Sequence, residues 1–148
     1  MISKTMYVDR NSRSLFPDAE IISNSIITGA GGGIGFAIVR GLIHTAPHYF
    51  VLGIDVNTQQ LETLQKLYPS QLLAITGDVR DRSVSATAVE KAISRTGRID
   101  TLVLNAGILN PVGSISDTSV ADWERNFAVN FFSLLHTVRH LCLVSTGA

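Results

Sequence analysis

Thr28-Gly29-Ala30-Gly31-Gly32-Gly33-Ile34-Gly35, directly after the apolar pair Ile26-Ile27, decides how the chain folds. A strand that runs into a glycine-rich turn and then an amphipathic stretch is suited to hold a pyrophosphate. The turn needs residues that tolerate positive φ and leave the backbone open to a ligand. The helix that follows offers unpaired N–H groups and the positive end of its dipole. The G-x-G-x-x-G fingerprint does not fit: the sixth residue is Ile34 counted from Gly29 and Phe36 counted from Gly31. The spacing that fits is T-G-x-x-x-G-I-G.

Outward from this stretch, strand and helix signals alternate. Ile26–Thr28 reads as a strand. Residues 33–46 read as a helix with Ile34, Ala37, Ile38, Gly41 and Leu42 on one face, stopped by Pro47. A strand follows over 49–55. A short helix capped by Thr58 carries Leu61, Leu64 and Leu67, and a strand covers 72–76. A helix opened by Asp81 carries Val84, Ala88, Val89, Ala92 and Ile93 and ends at a Gly97 cap. A further strand covers 99–105, and Ser119-Val120-Ala121-Asp122 resembles a capping box for a long helix through Trp123, Phe127 and Leu134. Strands as continuously apolar as Phe50-Val51-Leu52 and Leu102-Val103-Leu104 belong in a parallel sheet covered on both faces. The fold class is therefore α/β, a doubly wound parallel sheet of the Rossmann kind, and it reads as C-terminally incomplete.

The bulk properties fit one domain. The chain has 148 residues, with 45% hydrophobic and 16% charged, which is globular rather than disordered. Twelve Lys and Arg balance twelve Asp and Glu, so charge makes no case for nucleic acid or a membrane surface as a partner. No uninterrupted apolar run approaches the ~20 residues of a membrane span. The single cysteine, Cys142, excludes an internal disulfide framework and suits a reducing, cytoplasmic location. Residues 1–24 mix charges with Ser and Asn without a period and read as a disordered extension, leaving 25–148 as the nucleotide-binding domain.

Asp55 ends the second strand, 20 residues after Gly35, where such folds place the carboxylate that accepts from the adenosine ribose hydroxyls. The same charge would repel a 2′-phosphate, and neither Gly32 nor Val56 supplies a cation to pair one. The expected cofactor is NAD rather than NADP. Gly77-Asp78-Val79 follows the third strand, beside the adenine in this type of sheet, and a carboxylate there can accept from the exocyclic amine. Small residues at Asn105-Ala106-Gly107 let the backbone pass under the cofactor. Taken singly, each of these also reads as an ordinary turn after a strand.

Together with Asn130, the ordered set resembles the short-chain dehydrogenase/reductase family over about residues 25–140. The stretch from Gly97-Arg98-Ile99-Asp100 through Trp123 to Asn130-Phe131-Phe132 is similar to a fungal subgroup that includes benzil reductase-like enzymes. The resemblance implies that Thr28, Gly29, Gly33, Ile34 and Gly35 meet the pyrophosphate side of the cofactor. It implies that Asp78 and Val79 meet adenine, that Asn105, Ala106 and Gly107 line the cofactor, and that Asn130 belongs to a proton relay. Leu104 stands where the family often has a further Asn. The implied chemistry is hydride transfer between nicotinamide and a small carbonyl or alcohol.

That chemistry needs a tyrosine as acid or base, with a lysine four residues later to lower its pKa. None of Tyr7, Tyr49 and Tyr68 has such a lysine. The segment 141–148 resembles the family's next strand and serine loop, which would put Thr146 in the substrate-orienting position. The chain then stops before the Tyr and Lys, so it is expected to be inactive alone. The helix that pairs with the long helix in family dimers is also absent, so a family homo-oligomer is not expected of this chain. The 99–105 strand is expected near an uncovered edge, with marginal stability as the result. His136 and His140, four apart on a helix, read as a solvated helix end, and no metal site is expected. Cys142 reads as a buried strand residue, and Trp123 and Phe127 as core.

Overall fold

The computed structural model describes residues 4–7, 23–45 and 48–146. In chain order the elements are β1 (Lys4–Tyr7), β2 (Ser23–Thr28), α1 (Gly33–Thr45), β3 (Tyr49–Asp55), α2 (Gln59–Leu67), β4 (Leu72–Thr76), α3 (Arg82–Thr96), β5 (Thr101–Leu104), α4 (Val120–Phe127) and α5 (Ser133–Thr146). A π-turn over Ala128–Phe132 joins the last two helices. The sheet order is β1-β5-β2-β3-β4, and the four strands β5, β2, β3 and β4 are mutually parallel. The two strands that flank β2 leave it in opposite directions along the sheet, which opens a crevice at the carboxyl ends of β2 and β5.

Neighbouring residues of each central strand enter different cores. Ile26, Leu52, Leu102 and Leu104 join Val89 and Ala92 of α3 and Leu141 of α5. Ile27, Val51 and Val103 join Val39 and Ile43 of α1 and Leu61 and Leu64 of α2. Alternating side chains thus fill two helical layers, and the strands are apolar throughout because both faces are covered. Asn24 ties the start of β2 to the far end of α3. Its amide donates to the carbonyls of Ala92 and Arg98, and its backbone N–H donates to Asp100.

Several details differ from the sequence reading. The face that α1 buries is Gly35, Val39 and Ile43, while Ala37 and Gly41 face outward and Ile34 is 60% exposed at the helix start. Thr58 stands at the cap position of α2, but its hydroxyl bonds Glu62 and Thr76 rather than a backbone N–H. Asp81, Gly97 and Ser119 cap as expected: Asp81 accepts from the Ser83 N–H, Gly97 takes the left-handed conformation and Ser119 accepts from the Asp122 N–H.

The larger corrections lie at the chain ends. Residues 4–7, inside the segment read as disordered, form β1, which lies antiparallel on β5 with Thr5 opposite Val103 and Met6 opposite Leu102. The edge of β5 is therefore covered rather than open. The remainder of that extension lies outside the described residues. At the other end, 141–146 continues α5 and is not a strand. An apolar run of this length is ambiguous between the two, and here it extends the helix that packs on α3 through the Thr137–Ser85 bond and the buried Leu141. The Ser133 hydroxyl donates to the Val129 carbonyl, and Thr137 donates to Ser133 O. Leu141 reaches the core, while Cys142, Leu143 and Val144 are exposed on the helix.

The run Val120–Val144 is long and apolar enough to cross a membrane by length and composition alone. Here it packs as a helix of the domain. Val129, Ser133, Thr137 and Leu141 are buried, and Thr137 bonds Ser85 of α3 at 2.9 Å.

Candidate cofactor-binding site

The crevice at the switch point is a cavity of about 350 Å³. Its lining includes Gly29, Asp55, Asp78, Val79, Ala106 and Gly107. Two side chains hold its rim together. The Thr28 hydroxyl accepts from the backbone N–H groups of Asn105 and Ala106, each at 3.1 Å. The Asn105 amide donates back to the carbonyls of Thr28 and Gly29. The β2 and β5 ends are thereby tied together by the chain's own groups.

Gly29 has φ of 65°, and a Cβ there would stand 2.8 Å from the Ala106 Cα, so the turn passes β5 too closely for a side chain. A Cβ on Gly35 would fall 2.0 Å from the Gly29 carbonyl, which lets the first turn of α1 sit directly on the loop. Gly33 starts α1 and, like Ile34, is exposed there.

Asp55 is the organiser of the loop. One carboxylate oxygen accepts from the Gly31 N–H at 2.8 Å and the other from the Asn57 N–H at 3.0 Å. Each oxygen keeps acceptor capacity, which ribose hydroxyls in the cavity can use. Asp78 lies across the cavity. Its carboxylate accepts from the Arg80 backbone N–H and from the Arg80 guanidinium, with Nε at 3.0 and 2.9 Å from its two oxygens. The hydrogen-bonded guanidinium holds the Asp78 carboxyl below the usual carboxylate range.

Asn130 stands at the centre of the π-turn. Its Nδ2 donates to the Ile108 carbonyl and its Oδ1 accepts from the Ile108 N–H, both at 2.7 Å. Helix and strand-end loop are thus clasped, and Ile108 lines the cavity while Asn130 lines a neighbouring one of about 430 Å³. That second cavity is floored by Trp123, Phe127 and Phe131. Trp123 and Phe127 are 44% and 53% exposed, so the reading of them as core is overturned. Thr146 ends α5 and is not on a loop after a strand, which removes the basis for its substrate-orienting role. Among the described residues, no group of three His, Cys, Asp or Glu could hold a metal ion.

Of the residues singled out from sequence, Gly29, Asp55, Asp78, Val79, Ala106 and Gly107 come together in the crevice, while Thr28 and Asn105 brace it from behind. Sequence reasoning missed Arg80, Ile108, Arg125 and Val129, which also line it. Arg80 directly follows Asp78-Val79 and was open to notice. Arg125 gives no local signal, because it reaches the rim only through the path of the α4 loop, where it donates to the Asn110 carbonyl.

A crevice of this shape, at this point of this sheet, defines a dinucleotide-binding α/β protein. Residues 23–144 match the family model for short chain dehydrogenases, and the chain belongs to that family. It is 34% identical to an uncharacterised oxidoreductase of Schizosaccharomyces pombe, over 83% of this chain and 53% of the relative. It is 37% identical to the benzil reductase ((S)-benzoin forming) of Saccharomyces cerevisiae, over 80% of this chain and 46% of the relative. A crystal structure of a Saccharomyces cerevisiae short chain dehydrogenase/reductase superposes with a TM-score of 0.77 at 31% identity, covering 80% of this chain and 47% of that one. The 3-ketoacyl-(acyl-carrier-protein) reductase of Brucella melitensis, whose structure is complexed with NADH, superposes at 0.72 with 26% identity, covering 80% and 48%. The chain spans about half the length of the curated relatives it matches. Members of this family bind nicotinamide dinucleotides.

Proposed function

We propose that this chain is the cofactor-binding half of an NAD-dependent oxidoreductase acting on a small carbonyl or alcohol, and that it binds NAD without turnover on its own. The observation that carries the reading is Asp55, a carboxylate at the cavity wall with acceptor capacity to spare and no basic residue on the adjoining Gly32 or Val56. That arrangement accepts from two ribose hydroxyls and opposes a 2′-phosphate. Gly29, Gly33, Ile34 and Gly35 would face the pyrophosphate, Asp78 and Val79 the adenine, and Ala106 and Gly107 the underside of the dinucleotide. A bound nicotinamide would supply or accept the hydride. Asn130 spends both polar side-chain atoms on Ile108 and so serves the site by holding the loop that borders it.

The lack of turnover is supported by where the tyrosines lie. Tyr49 opens β3, six residues before Asp55, which is about 20 Å at the rise of a parallel strand. Tyr68 ends α2 just before β4, and Tyr7 is opposite Thr101 at the start of β5. All three are at the end of the sheet away from the crevice. The same placement favours a second reading, a non-catalytic dinucleotide-binding or interaction protein, for which the exposed apolar residues Trp123, Phe127, Phe131 and Leu135 would form the contact face. A cytoplasmic location belongs to either reading, since one cysteine makes no internal disulfide.

The test is NADH and NADPH binding by the purified chain, followed by NADH oxidation with an aromatic diketone such as benzil, the substrate class suggested by the benzil reductase relative. Saturable NADH binding without oxidation is expected. Oxidation above the protein-free rate would overturn the claim of inactivity, and stronger binding of NADPH than of NADH would overturn the assignment of Asp55.

A further inference from the structure

We infer that Arg80 is a specificity-determining residue that competes with adenine for Asp78, so that the ion pair must open for the purine amine to be read. The inference rests on the reading of this cavity as the adenosine site. A carboxylate offers about four lone-pair directions. In this structure Arg80 alone takes most of them: its backbone N–H and Nε reach one oxygen, while Nε and Nη2 reach the other. Both residues line the cavity, so the ion pair borders the space the ligand would enter. The two side chains are 48% and 35% exposed, which keeps the pair weak enough to exchange. Released, the Arg80 side chain has open solvent to move into.

An amine that must displace a guanidinium is recognised less sharply than one that meets a vacant acceptor. Arg80 therefore lowers the discrimination between adenine and a purine without the amine. NADH and reduced nicotinamide hypoxanthine dinucleotide differ at this group, which is a carbonyl in the second. Their charge is the same, so the general attraction of Arg80 for a dianionic ligand cancels in the ratio of their affinities.

The experiment measures the dissociation constants of both dinucleotides for the full chain, for Arg80→Ala, for Arg80→Gln and for Asp78→Ala, with circular dichroism melting to establish that each variant is folded. The expected result is a preference for NADH over the hypoxanthine analogue that grows about two- to fivefold in Arg80→Ala and Arg80→Gln, the scale of an exposed ion pair, and vanishes in Asp78→Ala. If the preference disappears in Asp78→Ala but is unchanged or smaller in both folded Arg80 variants, the competition is refuted while the adenine assignment stands. If the native chain shows no preference and Asp78→Ala alters nothing, the adenine assignment itself fails and the inference falls with it.

Discussion

Asp55 does two things at once. It ties down the Gly31 and Asn57 N–H groups and faces the cavity. Asp55→Ala should weaken NADH binding by roughly 1–3 kcal/mol, the range for hydrogen bonds to a charged group, and narrow the gap to NADPH, as read by titration calorimetry. Equal losses for the two cofactors would mean that the carboxylate only organises the loop. Gly29→Ala should cost at least about 1 kcal/mol of stability, because it combines a positive φ with a Cβ 2.8 Å from the Ala106 Cα. Denaturant unfolding measures it, and an unchanged midpoint would contradict the close approach. Asp78 and Asp81 both titrate lower than ordinary carboxylates, the first through the Arg80 hydrogen bond and the second through the Ser83 N–H. Each contributes stability that is present at neutral pH and is lost as pH falls from the ordinary carboxylate value of about 4 through the lowered folded value. The protection of the Ser83 amide, its hydrogen-exchange rate relative to the intrinsic rate at each pH, should fall over that window, and an amide equally protected below it would contradict the cap.

At the scale of elements, the hydroxyl seam between α3 and α5 holds the long helix to the sheet. Thr137→Val would leave the buried Ser85 hydroxyl without its partner at 2.9 Å and should cost about 1–3 kcal/mol in denaturant unfolding. An unchanged stability would mean that apolar packing alone docks α5. The parallel strands and their helices were legible in the sequence because continuous apolar runs, capping residues and glycine turns are local signals. Gly97 and Asp81 are such signals, and both cap α3 in the structure. The segment 141–146 was not legible, because an apolar run satisfies strand and helix alike, and the packing of this helix on α3 through Thr137 and Leu141 is a long-range contact. Trp123 and Phe127 misled for a related reason. Their i, i+4 spacing marks an apolar helix face, but the buried stripe of this helix pair is Val129, Ser133, Thr137 and Leu141. The outward aromatic stripe has no counterpart among the described residues. Most of the crevice was legible because its residues sit at strand ends, where chain order predicts position. Arg125 and Val129 come from a helix whose approach to the crevice depends on the loop before it.

At the scale of the whole molecule, the sheet is parallel except for β1, and β1 comes from a segment outside the 23–144 family match. Strand β5 is buried on both faces, so its edge would otherwise present an apolar ladder of unpaired backbone groups. Thr5→Pro together with Met6→Pro should break the β1 pairing opposite Leu102 and Val103 and drive self-association, seen as a rise in sedimentation coefficient with concentration. A variant that remained as monodisperse as the native chain would show that β1 is not what guards that edge. The covered edge also revises the expectation of marginal stability, which was built on an open β5. The Thr28–Asn105 lock and the Asp55–Gly31 bond lie wholly within this chain, which spans about half the length of its relatives, and the proposed binding of NAD rests on them. The most direct measurement is thermal unfolding of the 148-residue chain with and without NADH and NADPH, because a ligand that binds only the folded state must raise the transition. A cooperative transition that shifts upward with NADH, and less with NADPH, is the predicted result. A transition indifferent to both dinucleotides would mean that the crevice binds neither.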